Sequence, residues 1–150
     1  MTHADDVTWM ERAIELSRNC PPAEGAFSVG AIIVGADGEE LASGYSRETD
    51  AHVHAEESAL AKLPTDDPRL AGATLYSTLE PCSERKSRPL TCTQLILRSP
   101  IRRVVIAWRE PSLLVADCVG VETLRAAAAH VLELTELGAQ ARMVNNHLFR

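Results

Sequence analysis

A histidine, a glutamate and two cysteines in this sequence have the types and spacing of a metal site. His54 and Glu56 lie two positions apart, and Cys82 and Cys92 follow further along the chain with nine residues between them. One imidazole and two thiolates suit Zn²⁺, and three protein ligands leave the fourth tetrahedral position open, as in catalytic zinc sites. The sequence therefore predicts one catalytic zinc ion per chain, bound by His54, Cys82 and Cys92.

Glu56 is predicted to lie beside this metal without binding it. Zinc lowers the pKa of a bound water molecule towards about 7. A nearby carboxylate can take that proton and deliver it to a substrate nitrogen and then to a departing amine. We therefore predict that Glu56 is the proton shuttle of a hydrolytic reaction, whereas its neighbour Glu57 is predicted to be an ordinary solvated helix residue.

Segments with strand-like and helix-like patterns alternate along the chain and would position these groups. Strands are predicted at 27–34, 40–45, 73–78, 103–108 and 130–134, and helices at 7–19, 55–63, 92–97, 119–129 and 137–148. The alternation predicts an α/β fold in one domain, residues 1–150, with three α/β/α layers around a mixed five-stranded sheet. The strands on either side of 119–129 should be parallel, because a helical crossover separates them.

Length, composition and charge limit the classes of function. A chain of 150 residues is the size of one ordinary domain. Its net charge of −6 and aromatic share of 4% argue against nucleic acid as a partner, since nucleic-acid sites need clustered cations and stacking aromatics. No segment has the pattern of a signal peptide or a membrane span. The cytoplasm is therefore the expected location, where cysteines stay reduced.

The order of these residues matches a known signature. His54-Ala55-Glu56 followed by Pro81-Cys82 is the pattern of zinc deaminases, in which the glutamate is not a ligand. That pattern has two residues between its cysteines, so the nine found here require a loop that doubles back to the metal. Other stretches match as well: 26–30 (AFSVG), 44–48 (GYSRE), 78–83 (TLEPCS), 109–111 (REP) and 146–149 (NHLF). Over nearly its whole length the chain resembles the cytidine deaminase-like superfamily and, within it, the pyrimidine deaminases of riboflavin biosynthesis.

The resemblance carries expectations about fold, site and assembly. It implies the cytidine deaminase-like fold, a small heterocyclic substrate and a homodimer. It implies that the backbone at Ala55 contacts the substrate amine. Ser46 lies where many relatives carry an Asn or His that touches the ring or the sugar. In bifunctional relatives a reductase domain begins about where this chain stops, so reduction is not expected.

The loop between the cysteines carries a cluster of cations. Arg85, Lys86 and Arg88 stand out in a chain of net negative charge. Guanidinium groups bind phosphate oxygens bidentately and keep their charge at any working pH. We predict that Arg85 or Arg88 anchors a substrate phosphate, with a solvated loop as the equally weighted alternative.

Three functions compete on this sequence. The first is deamination of an aminopyrimidine ribosyl- or ribityl-phosphate of the riboflavin pathway. The second is deamination of another small ring, such as cytosine, a cytidine nucleotide, guanine or a specialised-metabolite precursor, because one fold and metal site serve many substrates. The third is a non-catalytic zinc-stabilised binding module, which would have no use for Glu56. Roles for His52, Cys20 and Cys118 stay open, with the two thiols interpreted as packing residues.

Overall fold

The structure is a computed structural model that describes residues 2–111 and 118–149. The helices are α1 (His3–Ser17), α2 (Ala55–Ala61), α3 (Cys92–Arg98), α4 (Gly120–Ala126) and α5 (Gly138–Met143). The strands are β1 (Gly30–Val34), β2 (Glu40–Tyr45), β3 (Thr74–Ser77), β4 (Arg103–Ile106) and β5 (His130–Glu133). Short 3₁₀ turns lie at Pro68–Gly72, Thr135–Leu137 and Asn146–Phe149. None of the described helices combines the length and the apolar character needed to cross a bilayer.

The strands form one sheet in the order β2-β1-β3-β4-β5. β1 is antiparallel to both β2 and β3, whereas β3, β4 and β5 are parallel to one another. The prediction of a mixed five-stranded sheet is therefore confirmed. The parallel pairing of the two strands that flank α4 is confirmed as well.

Helices cover both faces of the sheet. Successive strand side chains point to opposite sides, so each strand contributes to two cores. Ile32 and Tyr76 face a core that includes Met10 of α1 and Ala141 of α5. The alternate strand positions face a second core, with side chains of α2, α3 and α4. The strands are consequently buried on both faces, which is why their sequences read as continuous apolar runs.

Two element boundaries differ from the sequence prediction for identifiable reasons. Helix α1 begins at His3, because Thr2 and Asp5 form a capping box at its start. Strand β1 begins at Gly30 rather than at residue 27. The preceding residues are held by side chains instead of a strand partner. Asn145 accepts from the Ser28 amide through its side-chain oxygen and donates to the Ser28 carbonyl oxygen through its side-chain nitrogen. The Ser46 hydroxyl accepts from the Val29 amide.

Close contact between α2 and β2 sets the position of the helix that follows His54. A Cβ atom at Gly44 would lie 2.6 Å from the Ala55 carbonyl oxygen and 2.6 Å from the Ala59 amide nitrogen. Both are backbone atoms that a rotamer change cannot move aside. Gly44 therefore permits α2 to approach the sheet closely, and the first turn of α2 carries Glu56 with it.

We predict that Gly44→Ala lowers the free energy of unfolding by about 1–3 kcal/mol, the usual cost of overpacking a tight core. Urea denaturation of the zinc-loaded protein measures this. Gly25→Ala is the matched control, because a Cβ there meets no atom within 4 Å. Equal stability of the two variants would show that the α2–β2 contact adjusts freely.

Candidate active site

The three predicted ligands come together at one end of the sheet. His54 immediately precedes α2, Cys82 follows the segment after β3, and Cys92 opens α3. Their ligand atoms all lie within 4.8 Å of one another. His54 Nδ1 lies 3.6 Å from Cys82 Sγ and 3.3 Å from Cys92 Sγ. The sequence prediction of a His–Cys–Cys cluster is therefore confirmed in space.

These distances fit a tetrahedral zinc ion. With zinc–sulfur bonds of about 2.3 Å and zinc–nitrogen bonds of about 2.0–2.1 Å, nitrogen and sulfur ligands stand about 3.6 Å apart. The observed separation of 3.6 Å for Cys82 equals that value, and the separation of 3.3 Å for Cys92 is slightly shorter. Within the described residues, no fourth His, Cys, Asp or Glu joins the cluster. The donor set and its spacing thus match a zinc site with one open position.

Local hydrogen bonds fix the two cysteines relative to each other. The Cys92 amide donates to Cys82 Sγ at 3.2 Å, and Thr93 donates to the Cys82 carbonyl through both its amide and its hydroxyl. Hydrogen bonds from Cys92 and then His54 hold the pKa of the Cys82 thiol well below its ordinary value, although burial opposes them. A thiolate is the form that binds metal, so this environment prepares Cys82 as a ligand.

Glu56 is buried beside the ligands, with 4% of its surface exposed. Burial raises the pKa of its carboxyl, because the charged form loses hydration. Ser77 Oγ lies 2.6 Å from Glu56 Oε1 and 2.8 Å from the Leu79 carbonyl oxygen. The Ser77 hydroxyl donates to Glu56 Oε1; this hydrogen bond opposes the effect of burial on the pKa and holds the carboxyl beside the ligand cluster.

A cavity of about 300 Å³ opens onto this cluster. Its wall includes His54, Glu56 and Cys82, whereas Cys92 is fully buried behind them. The volume is at the lower end of the range for small-molecule sites, which is about 300–1,000 Å³. The cavity therefore has room for one small heterocycle next to the metal ligands.

The two predicted substrate contacts Ser46 and Ala55 both line this cavity. The Ser46 hydroxyl already accepts from the Val29 amide at 2.9 Å, so it also serves the backbone of the chain before β1. Ala55 is fully buried and lies in the cavity wall.

The structure does not bring Arg85 and Arg88 to the cavity wall. Arg85 donates to Glu57 Oε1 at 2.8 Å, and Arg88 donates to Asp50 Oδ2 at 2.5 Å and to Glu57 Oε2 at 3.3 Å. Glu57, predicted to be solvated, is instead an ion-pair partner of both arginines, which corrects that prediction. Burial raises the pKa of Glu57, but the hydrogen bonds from Arg85 and the His54 amide and the charges of both arginines together outweigh it, and the pKa lies below its ordinary value.

Besides Glu84 at its rim, the cavity wall includes two glutamates that were not identified from the sequence, Glu80 and Glu110. The buried Glu80 carboxylate accepts from the Glu110 amide at 3.0 Å and from the Val121 amide at 2.8 Å. This pairing fixes Glu110, whose carboxyl lines the cavity and whose pKa burial raises to about 7. The signal for Glu110 was its position just after a buried strand whose end lies at the same edge as Cys82.

Arg47 was also missed, and its backbone geometry explains why. It has a φ of 62°, in the left-handed region that non-glycine residues rarely adopt. This turn directs its guanidinium to the carbonyl oxygens of Pro21 and Phe27 and to the Ser28 hydroxyl. Arg47 thereby holds the segment before β1 against the cavity.

The residues whose roles stayed open are placed as follows. His52 lines the cavity. Cys20 and Cys118 are free, partly buried thiols whose sulfur atoms contact the carbonyl oxygens of Val29 and Pro81 respectively. Neither sulfur joins the ligand cluster, which agrees with their interpretation as packing residues.

Comparison with known proteins identifies the family. The cytidine and deoxycytidylate deaminase zinc-binding region matches residues 3–108. The diaminohydroxyphosphoribosylamino-pyrimidine deaminase of Schizosaccharomyces pombe is 42% identical over 83% of this chain and 31% of its own length. The riboflavin biosynthesis protein RibD of Aquifex aeolicus is 38% identical over 81% of this chain and 32% of its own length. The chain thus spans about a third of the length of these relatives.

Solved structures agree with this assignment. A diaminohydroxyphosphoribosylaminopyrimidine deaminase/5-amino-6-(5-phosphoribosylamino)uracil reductase of Thermotoga maritima is 34% identical, with a TM-score of 0.76 over 95% of this chain and 39% of that chain. A deaminase of Aspergillus oryzae in complex with DARIPP has a TM-score of 0.75 over 97% of this chain and 96% of that chain; at 22% identity it supports the fold alone. The chain therefore belongs to the cytidine and deoxycytidylate deaminase family, with the cytidine deaminase-like fold and the zinc-binding region of that family.

Proposed function

We propose that this protein is a zinc-dependent aminohydrolase that deaminates the diaminopyrimidine ribosylamino- or ribitylamino-phosphate of riboflavin biosynthesis. One observation carries the reaction type: a buried carboxyl, Glu56, lies beside a three-ligand metal cluster at the wall of a small open cavity. A zinc-stabilised binding module would need neither the cavity nor the acid. The arrangement therefore favours hydrolysis over a structural role.

The reaction replaces the exocyclic amine of the ring with oxygen from water and releases ammonia. Zinc bound by His54, Cys82 and Cys92 supplies the Lewis acidity that makes water nucleophilic near neutral pH. Glu56 takes a proton from the attacking water, gives it to the ring nitrogen beside the reacting carbon, and passes a second proton to the departing amine. Ser77 keeps the Glu56 carboxyl in place during these transfers.

The substrate class is inferred from the relatives. The Schizosaccharomyces pombe protein is named for a diaminopyrimidine that carries a phosphoribosylamino group, and other relatives are named as riboflavin biosynthesis proteins. The small cavity accepts a single ring, and its rim is open towards the loop between the cysteines, since Glu84 and Ser87 line it. A sugar phosphate attached to the ring would extend towards that loop.

The setting of the enzyme is part of the proposal. We take residues 1–150 as one deaminase domain and its location as the cytoplasm, where the four cysteines, all free among the described residues, stay reduced. We also expect a homodimer, as the resemblance to other deaminases implies, and no nucleic-acid partner. The net charge of −6 supports the absence of polyanion binding.

We expect Cys92→Ser protein to lose most of its zinc, because a hydroxyl is a poor replacement for a thiolate in this donor set. Elemental analysis of the purified, dialysed protein measures the zinc content per chain. Cys20→Ser is the matched control, since its thiol lies outside the cluster, and it should keep one zinc. Full zinc retention in Cys92→Ser protein would mean that another ligand replaces Cys92.

Glu56→Ala protein should retain zinc and lose nearly all turnover, since removing a positioned acid–base group costs about 10²–10⁴-fold in rate. Ammonia release from the phosphorylated diaminopyrimidine measures the activity. Glu11→Ala, an exposed acid of α1 outside the cavity lining, is the control and should stay near the wild-type rate. Near-wild-type turnover of Glu56→Ala protein would exclude Glu56 as the shuttle. Wild-type protein that releases ammonia from cytosine but not from this substrate would favour the alternative small-ring function.

A phosphate anchor in the inter-cysteine loop remains part of the proposal, and the structure favours Arg88 over Arg85 for it. Only 2% of the Arg85 side chain is exposed, against 30% of the Arg88 side chain. Arg88 pairs with Asp50, which is half exposed, and such exposed ion pairs are weak. A phosphate dianion can therefore compete with Asp50 for Arg88 while the Arg88 Nε contact to Glu57 remains.

We expect Arg88→Ala protein to bind the phosphorylated substrate about tenfold or more weakly, because a hydrogen bond to a charged group contributes about 1.5–3 kcal/mol. Michaelis constants for phosphorylated and dephosphorylated substrate are compared on zinc-loaded wild-type and variant protein. Arg18→Ala, an exposed arginine just after α1, is the control. Equal use of both substrates by the wild-type protein would leave the loop as a solvated lid and favour a free base as substrate.

A further inference from the structure

Arg85 is buried inside the loop that separates Cys82 from Cys92. Its Nη2 donates to the backbone carbonyl of His52 at 2.6 Å and to Glu57 Oε1 at 2.8 Å. Its Nε donates to Ser87 Oγ at 3.2 Å, within the same loop. The guanidinium thus joins the loop to the chain on both sides of His54.

Glu57 extends this connection to the metal ligand itself. The same Oε1 atom that accepts from Arg85 also accepts from the His54 backbone amide at 3.2 Å. One carboxylate oxygen therefore bridges the inter-cysteine loop and the residue that supplies the imidazole. His54 lies at the start of α2, so its backbone amide has no partner within the helix.

We propose that Arg85 is a positioning residue of the metal centre: acting through Glu57, it holds the His54 ligand and the inter-cysteine loop in the arrangement that binds zinc. This assignment rests on the zinc site and is independent of the substrate. It replaces the role of phosphate anchor for this residue. Arg85 does not contact the metal or the cavity, and Glu57 carries its effect.

Because the Arg85 side chain is buried, loss of its ion pair with Glu57 would strongly affect the stability of this region. A guanidinium at 2% exposure must be paired, because a buried charge without a partner is strongly destabilising. Removal of Arg85 frees the loop from His52 and leaves Glu57 with the longer contact from Arg88 and the His54 amide. Groups that orient metal ligands from behind typically change metal affinity about 10–100-fold when mutated.

A rival role is visible in the same side chain. Arg85 Nη1 is buried and has no hydrogen-bond partner among the described residues. A substrate phosphate could take that donor, and in that case substitution would change substrate preference and leave zinc binding intact. The two roles therefore differ in what they change, and one pair of measurements separates them.

The experiment measures the zinc dissociation constant of the full chain by competition with a chromophoric chelator. Arg85→Met removes the charge and keeps the length of the side chain, and Glu57→Gln removes the carboxylate and keeps its shape. Each should raise the zinc dissociation constant about 10–100-fold. The double variant should be no worse than the weaker single variant, because both act on one contact. Arg85→Lys should recover part of the affinity.

Lys86→Met is the matched control. It removes the adjacent cation of the same loop, which is exposed and makes no side-chain hydrogen bond within the described ranges, and it should leave the zinc dissociation constant unchanged. If Arg85→Met protein fails to fold, the zinc dissociation constants of the Glu57→Gln and Arg85→Lys single variants carry the test.

Three results would overturn the assignment. One is a wild-type zinc dissociation constant in Arg85→Met or Glu57→Gln protein. Another is additive losses in the double variant, since they would mean that Arg85 does not act through Glu57. The third is a loss of phosphate preference in Arg85→Met protein with zinc binding intact, which would make Arg85 a substrate contact. Because zinc binding is measured without substrate, failure of the proposed deaminase activity would leave this test unaffected.

Discussion

The central constraint on this fold is that three ligand atoms from three separate chain segments lie within 4.8 Å of one another. No single helix or turn supplies them, so the distance is set by how the segments pack. Cys82 lies in the segment after β3, His54 immediately precedes α2 where this helix packs closely against Gly44, and Cys92 is the first residue of α3. Hydrogen bonds from Cys92 and Thr93 back to Cys82 then join the two thiol segments. The packing of the helices on the sheet thus brings residues that are distant in sequence together as one set of metal ligands.

The same packing determines the state of the acid beside the metal. Glu56 follows His54 by two residues and is carried into the protein with it, so its carboxyl is buried and its pKa is raised. The Ser77 hydroxyl, at the end of β3, donates to Glu56 Oε1 at 2.6 Å and holds the carboxyl in place. The strand that brings Cys82 to the metal therefore also orients the acid. Proton donation and metal binding are consequences of one arrangement of β3 and α2.

The sequence was sufficient for the mixed five-stranded sheet and for the clustering of His54, Cys82 and Cys92, because these depend on local pattern and on a motif. It was insufficient wherever a role depends on a partner distant in sequence. Arg85 and Arg88 were recognised as cations beside the metal, but their pairing with Glu57 is visible only in three dimensions. Glu110 is held at the cavity because its backbone amide donates to the Glu80 carboxylate. The spacing of residues in the sequence does not predict this contact. A sequence shows which residues are charged, but it does not show which partner each charged residue is paired with.

The long spacing of the cysteines places their connection in a loop that other contacts must hold. With two intervening residues, as in the usual deaminase motif, one helical turn places both thiols. Lengthening the connection from two to nine residues costs about 1.3 kcal/mol in loop-closure entropy, from the logarithmic dependence on length. A single hydrogen bond between charged groups contributes about 1.5–3 kcal/mol and offsets that cost. The Arg85–Glu57 pair is such a bond, and it is buried. Ion pairing between the loop and α2 thereby adds to the hydrogen bonds from Cys92 and Thr93 to Cys82 in holding the loop that connects the two thiols.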